Sequence, residues 1–140
     1  MADTFSAIVA EKQNGKSVAS IKQIGLADLV DEDVLVDVAY STINYKDGLA
    51  VSGTAPICQV SPLICGIDLA GTVIESRDSA YSPGDRVLVN GFGLSERFNG
   101  GYSQKQRLKG EWLVRVPESM SLEETMAVGT AGYTAMLCVL

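Results

Sequence analysis

Apolar and polar positions alternate with a period of two through most of the chain up to Val116, and β-branched residues concentrate in the alternating runs. That period places successive side chains on opposite faces of a strand. Phe5–Ala10 and Ser17–Ile21 are two such runs, and Asn14-Gly15 lies between them. Both residues tolerate positive φ, so the pair predicts a tight hairpin. In Val34–Tyr40, Val34, Val36 and Val38 share one face. Asp68–Ile74 and Arg86–Asn90 predict further strands, the second launched by the turn Ser82-Pro-Gly-Asp85. Gly101–Lys109 and Trp112–Val116 complete the β part.

Two helical pieces depart from this pattern. Asn44–Val51 predicts a short helix with Asn44 as N-cap. Ser121-Leu-Glu-Glu124 spells a capping box, opening a helix after Pro117 that resumes near Thr130. The final run, Thr130–Leu140, is apolar and ends without a closing Gly or basic turn. The expectation is a chain that forms the front part of something longer. The architecture expected is mainly β: a small, antiparallel, partly open barrel with helices gathering toward its C-terminal end.

Composition narrows the function. The chain has 140 residues, 46% apolar, enough for one domain with a real core. Its 14 glycines, about a tenth of the chain, exceed the usual roughly 7% and fit many turns between short strands. A formal charge of −6 argues against nucleic acid, which demands a basic surface. Acidic clusters such as Asp31-Glu32-Asp33 read as solvated turn residues. No run approaches the roughly 18 apolar residues of a membrane span, and Met1–Phe5 lacks the basic start and apolar stretch of a signal peptide. Cys58, Cys65 and Cys138 are odd in number and form no CxxC pair, which fits a reducing cytoplasm and a packing role for all three. Histidine is absent, which removes His-based triads, His general bases and most zinc sites from this segment.

Four segments carry the chemistry by their order and spacing: Ser41–Gly48, Gly66–Val73, Pro83–Val87 and Gly129–Ala135. Singly they read as a strand-to-helix cap, a strand with a close-packed Gly71, a turn and a helix start. Together they resemble the GroES-like N-terminal domain of the medium-chain dehydrogenase/reductase superfamily. The strings NYKDGLA, GIDLAGTV, KGEWLV and GTAGYTAMLCV resemble more narrowly its zinc-independent branch of acrylyl-CoA reductases and quinone oxidoreductase-like proteins. The resemblance implies that residues 1–126 form the GroES-like catalytic domain, with its C-terminal strands missing, and that 127–140 begin a helix leading to a nucleotide-binding domain. No G-x-G-x-x-G fingerprint of such a Rossmann domain occurs in the chain.

The same resemblance implies a reductase that uses NADPH to reduce an activated double bond, as in acrylyl-CoA, or a quinone. It implies a homodimer for the full-length protein. Where zinc-dependent cousins carry a Cys ligand this chain has Asn44, and where they carry His-Glu it has Ile67-Asp68. An amide and an isoleucine do not replace a thiolate and an imidazole, so no metal site is expected. Without a Lewis acid, hydride addition favours acceptors that are already electron-poor: an enoyl thioester, an enone or a quinone.

Asn44, Tyr45 and Thr130 are the candidate cofactor-binding residues, and each has a plainer alternative: a helix cap, a packing aromatic and a second helix cap. Lys46 reads as a surface residue and Asp47 as a local hydrogen-bonding group. Asp68, inside an apolar strand, needs a partner if buried; Arg86 is one candidate, and a cleft carboxylate is the other reading. Phe92, Phe98 and Tyr102 either shape a substrate cleft or belong to a plain loop. No catalytic acid or base stands out. A stand-alone GroES-like module that binds another protein through Met136, Leu137, Val139 and Leu140 is the rival function.

Overall fold

The computed structural model describes residues 4–140; the reading made above for the first residues therefore lies outside it for Met1–Asp3. The Asn14-Gly15 turn, with φ of 50° and 79°, joins β1 (Thr4–Gln13) to β2 (Lys16–Gly25) in an antiparallel hairpin in full register from Thr4↔Gly25 to Gln13↔Lys16. A 3₁₀ turn at Leu26–Asp28 leads to β3 (Val34–Tyr40), and α1 spans Tyr45–Ser52. Next come β4 (Leu63–Ile64), β5 (Asp68–Ser76), β6 (Arg86–Asn90), β7 (Lys105–Leu108) and β8 (Val114–Arg115). Helix α2 covers Leu122–Val139.

The strands form two antiparallel sheets, ordered β2-β1-β4 and β7-β3-β5-β6-β8, that do not close into a barrel. They meet where β1 runs past the segment before β7. There Ile8 N–H donates to the Tyr102 carbonyl at 2.8 Å, and Gln104 N–H to the Ser6 carbonyl at 3.1 Å. The mainly β, partly open architecture agrees with the alternation.

The larger core packs Val34, Val36, Leu69, Val73, Val87, Val89, Leu94, Leu108, Trp112 and Leu113, with Val38 against its edge. The predicted valine face of β3 thus points into it. Leu35, on the opposite face, is also buried, in a second cluster with Phe5, Val9 and Ile64. β3 is therefore covered on both sides.

Two β predictions were too long. The strand expected over Gly101–Lys109 begins only at Lys105. A Cβ on Gly100 would sit 2.0 Å from the Gly66 carbonyl oxygen, and one on Gly101 would sit 2.1 Å from that of Asp68. Main chain lies on main chain there, so the glycines serve close approach rather than a ladder. Gly71 does the same inside β5, where a Cβ would meet the Asp37 carbonyl oxygen at 2.1 Å. The expected strand Trp112–Val116 is a 3₁₀ turn, Gly110–Trp112, followed by the two residues of β8.

Candidate functional site

The link from β3 to α1 is fixed by two buried carboxylates. Asp47, in the first turn of α1, accepts from the backbone N–H of Asn44 at 2.9 Å through Oδ2 and from that of Ile67 at 3.0 Å through Oδ1. It ties the helix N-terminus to the chain entering β5, the local structural role expected for it.

Asp68, the first residue of β5, is fully buried. Its Oδ2 accepts from Thr42 Oγ1 at 2.6 Å, Asn44 Nδ2 at 3.1 Å and Thr130 N–H at 3.0 Å. Its Oδ1 accepts from the Thr130 hydroxyl and, with the Asn90 amide in the orientation its neighbours require, from Asn90 at 3.1 Å. A buried carboxylate costs free energy unless such donors replace water.

Arg86 is not among these partners, correcting the ion pair proposed from sequence. The β5–β6 register sets Asp68 opposite Asn90 and Thr72 opposite Arg86, at the other end of the ladder. The Arg86 guanidinium instead donates to the carbonyls of Met120 at 2.8 Å and Pro117 at 3.1 Å, holding the approach to α2.

Thr130 reaches Asp68 because α2 is two helical segments joined at Gly129, whose φ of 49° and ψ of −164° are non-helical. The break exposes the first amides of the second segment, and Asp68 satisfies one of them. A Cβ on Gly129 would lie 2.7 Å from Thr42 Cγ2 and 3.2 Å from Asp68 Oδ2. The first segment is capped as the sequence predicted: Ser121 Oγ accepts from Glu124 N–H at 3.1 Å, and Glu124 Oε2 from Ser121 N–H at 2.8 Å. The Ser121 backbone N–H, with its hydroxyl, holds the Glu124 carboxyl below its ordinary range.

Of the three cofactor candidates, Asn44 and Thr130 are therefore brought together through Asp68. Asn44 is the residue preceding α1, and its Nδ2 reaches Thr42 Oγ1 at 2.7 Å and Asp47 Oδ2 at 3.1 Å besides Asp68. Tyr45 begins α1 and is 84% exposed, so its ring does not serve the core. Lys46 is on the surface, paired with Glu96.

Beside this cluster opens a cavity of about 540 Å³, lined by Leu88, Asn90, Phe92, Trp112, Val114 and Tyr133. Asn90 belongs to both, facing the cavity while donating to Asp68. Of the three aromatics considered for a cleft, Phe92 lines this cavity, stacked on Trp112 with centroids 6.0 Å apart. Phe98 packs against Trp112 at 4.9 Å and borders a separate hollow of about 200 Å³. Tyr102 turns inward, donating to the Thr42 carbonyl at 2.8 Å. Burial, reinforced by the nearby Asp47 carboxylate, pushes its phenol above the ordinary value.

Sequence reasoning missed Thr42 and Asn90. Their only signal was position: a hydroxyl two residues before Asn44, and an amide closing a strand ahead of Gly91. Cys58 and Cys65 are buried together, and burial pushes the Cys65 thiol up to about 12. Cys138 is exposed, contrary to a packing role for all three. The distal apolar residues Met136, Leu137, Val139 and Leu140 are exposed as well. No helix among the described residues is long and apolar enough to cross a membrane.

The arrangement is similar to known proteins. The alcohol dehydrogenase GroES-like domain matches residues 30–118. The acrylyl-CoA reductase AcuI of Ruegeria pomeroyi is 46% identical over 138 residues, covering 97% of this chain and 42% of that protein. The yhdH oxidoreductase of Salmonella enterica, solved in complex with NADP, superposes with a TM-score of 0.92 at 45% identity, covering 96% of this chain and 41% of that one. The Bacillus subtilis protein yhfP, solved with NAD bound, gives a TM-score of 0.92 at 44% identity, covering 99% and 42%. The chain thus spans about two fifths of the length of these relatives. With that match across most of its length, the chain belongs to the alcohol dehydrogenase GroES-like domain family.

Proposed function

We propose that this chain is the substrate-side domain of an NADPH-dependent oxidoreductase that reduces an activated C=C bond, as in acrylyl-CoA, or a quinone. The observation that carries the reading is the adjacency of two surfaces through Asn90: the cluster around Asp68 and the aromatic-lined cavity. A mostly apolar cavity with a few polar groups at one edge suits a small conjugated acceptor. The relatives solved with NADP or NAD bound support a nicotinamide cofactor.

NADPH bound against the N-terminal end of α1 would supply the hydride. The exposed Tyr45 ring would pack against it, with its hydroxyl available to hydrogen-bond to a polar group. Asn44 and Thr130 form the polar floor. Because Asn44 Nδ2 is directed at Asp47 and Asp68, what Asn44 offers a ligand is its carbonyl oxygen, an acceptor. The cavity offers the acceptor a mostly apolar wall, and Phe92 and Trp112 set its shape.

Zinc does not fit this site. Asn44 directs an amide nitrogen, without a free lone pair, at Asp68. The carboxylate that remains already accepts from Thr42, Asn44, Asn90 and Thr130. The reading therefore needs acceptors that are reactive without a metal.

The test is NADPH oxidation by the longest product the reading frame encodes, assayed in parallel with acrylyl-CoA, a quinone and a simple enone. Turnover of at least one is expected, and absence of turnover with all three overturns the reading. Tyr45→Ala should weaken NADPH binding about tenfold, near 1.4 kcal/mol; unchanged affinity removes Tyr45 from the cofactor contact.

A further inference from the structure

Asp68 joins three of the segments that border the proposed site. Its donors are Thr42 on the link after β3, Asn44 preceding α1, Asn90 at the end of β6, and Thr130 at the start of the second segment of α2. That segment also carries Tyr133, which lines the cavity. One carboxylate thus fixes the helix end proposed to face the cofactor against two walls of the cavity proposed to hold the acceptor. Among the described residues its donors include no arginine or lysine and none from the apolar core clusters.

Neutral donors give a buried carboxylate less than a guanidinium would. What they supply here is direction. Oδ2 accepts from three groups on two segments, the β3–α1 link and α2, so a displacement of either strains the bonds to the other. Hydride transfer is steeply sensitive to the separation and alignment of its two partners.

We propose that Asp68 is a positioning residue for the hydride transfer, holding the cofactor-facing end of α1 and the acceptor cavity in one fixed relation. The inference rests on the function proposed above. Asp68 itself does not meet the reacting atoms: it is fully buried and acts through Asn44, Asn90 and Thr130.

The test uses the longest product of the reading frame and separates kcat from KM. Asp68→Asn keeps the shape but turns an NH₂ toward groups that are themselves donors. A loss in kcat of roughly tenfold to hundredfold is expected, with KM for NADPH changed less than about threefold. Thr42→Val and Thr130→Val each remove one hydroxyl and should lower kcat by a smaller factor in the same direction. Asparagine keeps one of the two oxygens, so in one of the two double variants with Asp68→Asn the bond the valine deletes is already broken, and there the valine should add almost nothing.

A kcat within about twofold of the parent in folded Asp68→Asn overturns the proposal. So does a loss confined to KM for NADPH, or losses that multiply independently in both double variants. Should Asp68→Asn fail to fold, the two valine variants decide: unchanged kcat in both refutes the positioning role. A parent protein with no turnover on any acceptor refutes the proposed function instead, so the two failures are distinguishable.

Discussion

Gly129→Ala should destabilise the chain by about 3 kcal/mol. Gly129 sits at φ 49° and ψ −164°, outside the conformations an alanine adopts without strain. Forcing a side chain into such a region costs about 1–3 kcal/mol. The new Cβ would approach Thr42 Cγ2 to 2.7 Å and Asp68 Oδ2 to 3.2 Å, and the methyl of Thr42 must shift. Overpacking of that kind costs a further 1–3 kcal/mol or so. Restricting the unfolded chain returns only about 0.4–1 kcal/mol. The buried Trp112, the only tryptophan, reports urea unfolding by its fluorescence. With m of about 1–3 kcal/mol/M, the midpoint should fall by roughly 1–3 M. Gly48→Ala is the control: it lies within α1, and a Cβ there has nothing within 4 Å. It should leave stability unchanged or raise it by up to about 1 kcal/mol. A Gly129→Ala midpoint within about 0.2 M of the parent would refute the account of the kink.

The thiols give two further outcomes. Cys138 is exposed while Cys58 and Cys65 are buried, so an aromatic disulfide reagent should titrate one thiol in the native chain and all three after denaturation; three fast-reacting native thiols would contradict the packing around β4. The Cys65 thiol, pushed by burial from 9.0 up to about 12, keeps its proton in the folded state while the unfolded state releases it. Its contribution to stability is therefore complete below the unfolded value and lost as pH rises from about 9 toward 12. Cys65→Ala should flatten that alkaline decline in urea midpoint, and an identical slope would refute the assignment.

What the sequence made legible was mostly local. The Asn14-Gly15 turn, the strand Arg86–Asn90 and the Ser121/Glu124 cap depend on neighbours in the chain, and all three appear as read. Asp47 was legible for the same reason, since its Asn44 partner is three residues away. The partners of Asp68 were not, because Thr42, Asn90 and Thr130 come from segments that only the tertiary fold assembles. Register decided the error: alternation identifies β5 and β6 but not which residue faces which, and so Arg86 was given a role that falls to Asn90. Gly101 misled in the opposite direction. It began an apparent strand, although its absent side chain, like that of Gly100, serves a crossing of backbones.

That crossing has a mechanical consequence. A Cβ on Gly101 would fall nearest the carbonyl oxygen of Asp68, and one on Gly100 nearest that of Gly66. In the apolar core, side chains such as Val36 and Leu69 lie between neighbouring segments and can rotate to absorb a small movement. Here there is no such cushion. A shift of the 100–102 segment, even one begun at its exposed neighbours, passes undamped into the peptide that carries the central carboxylate.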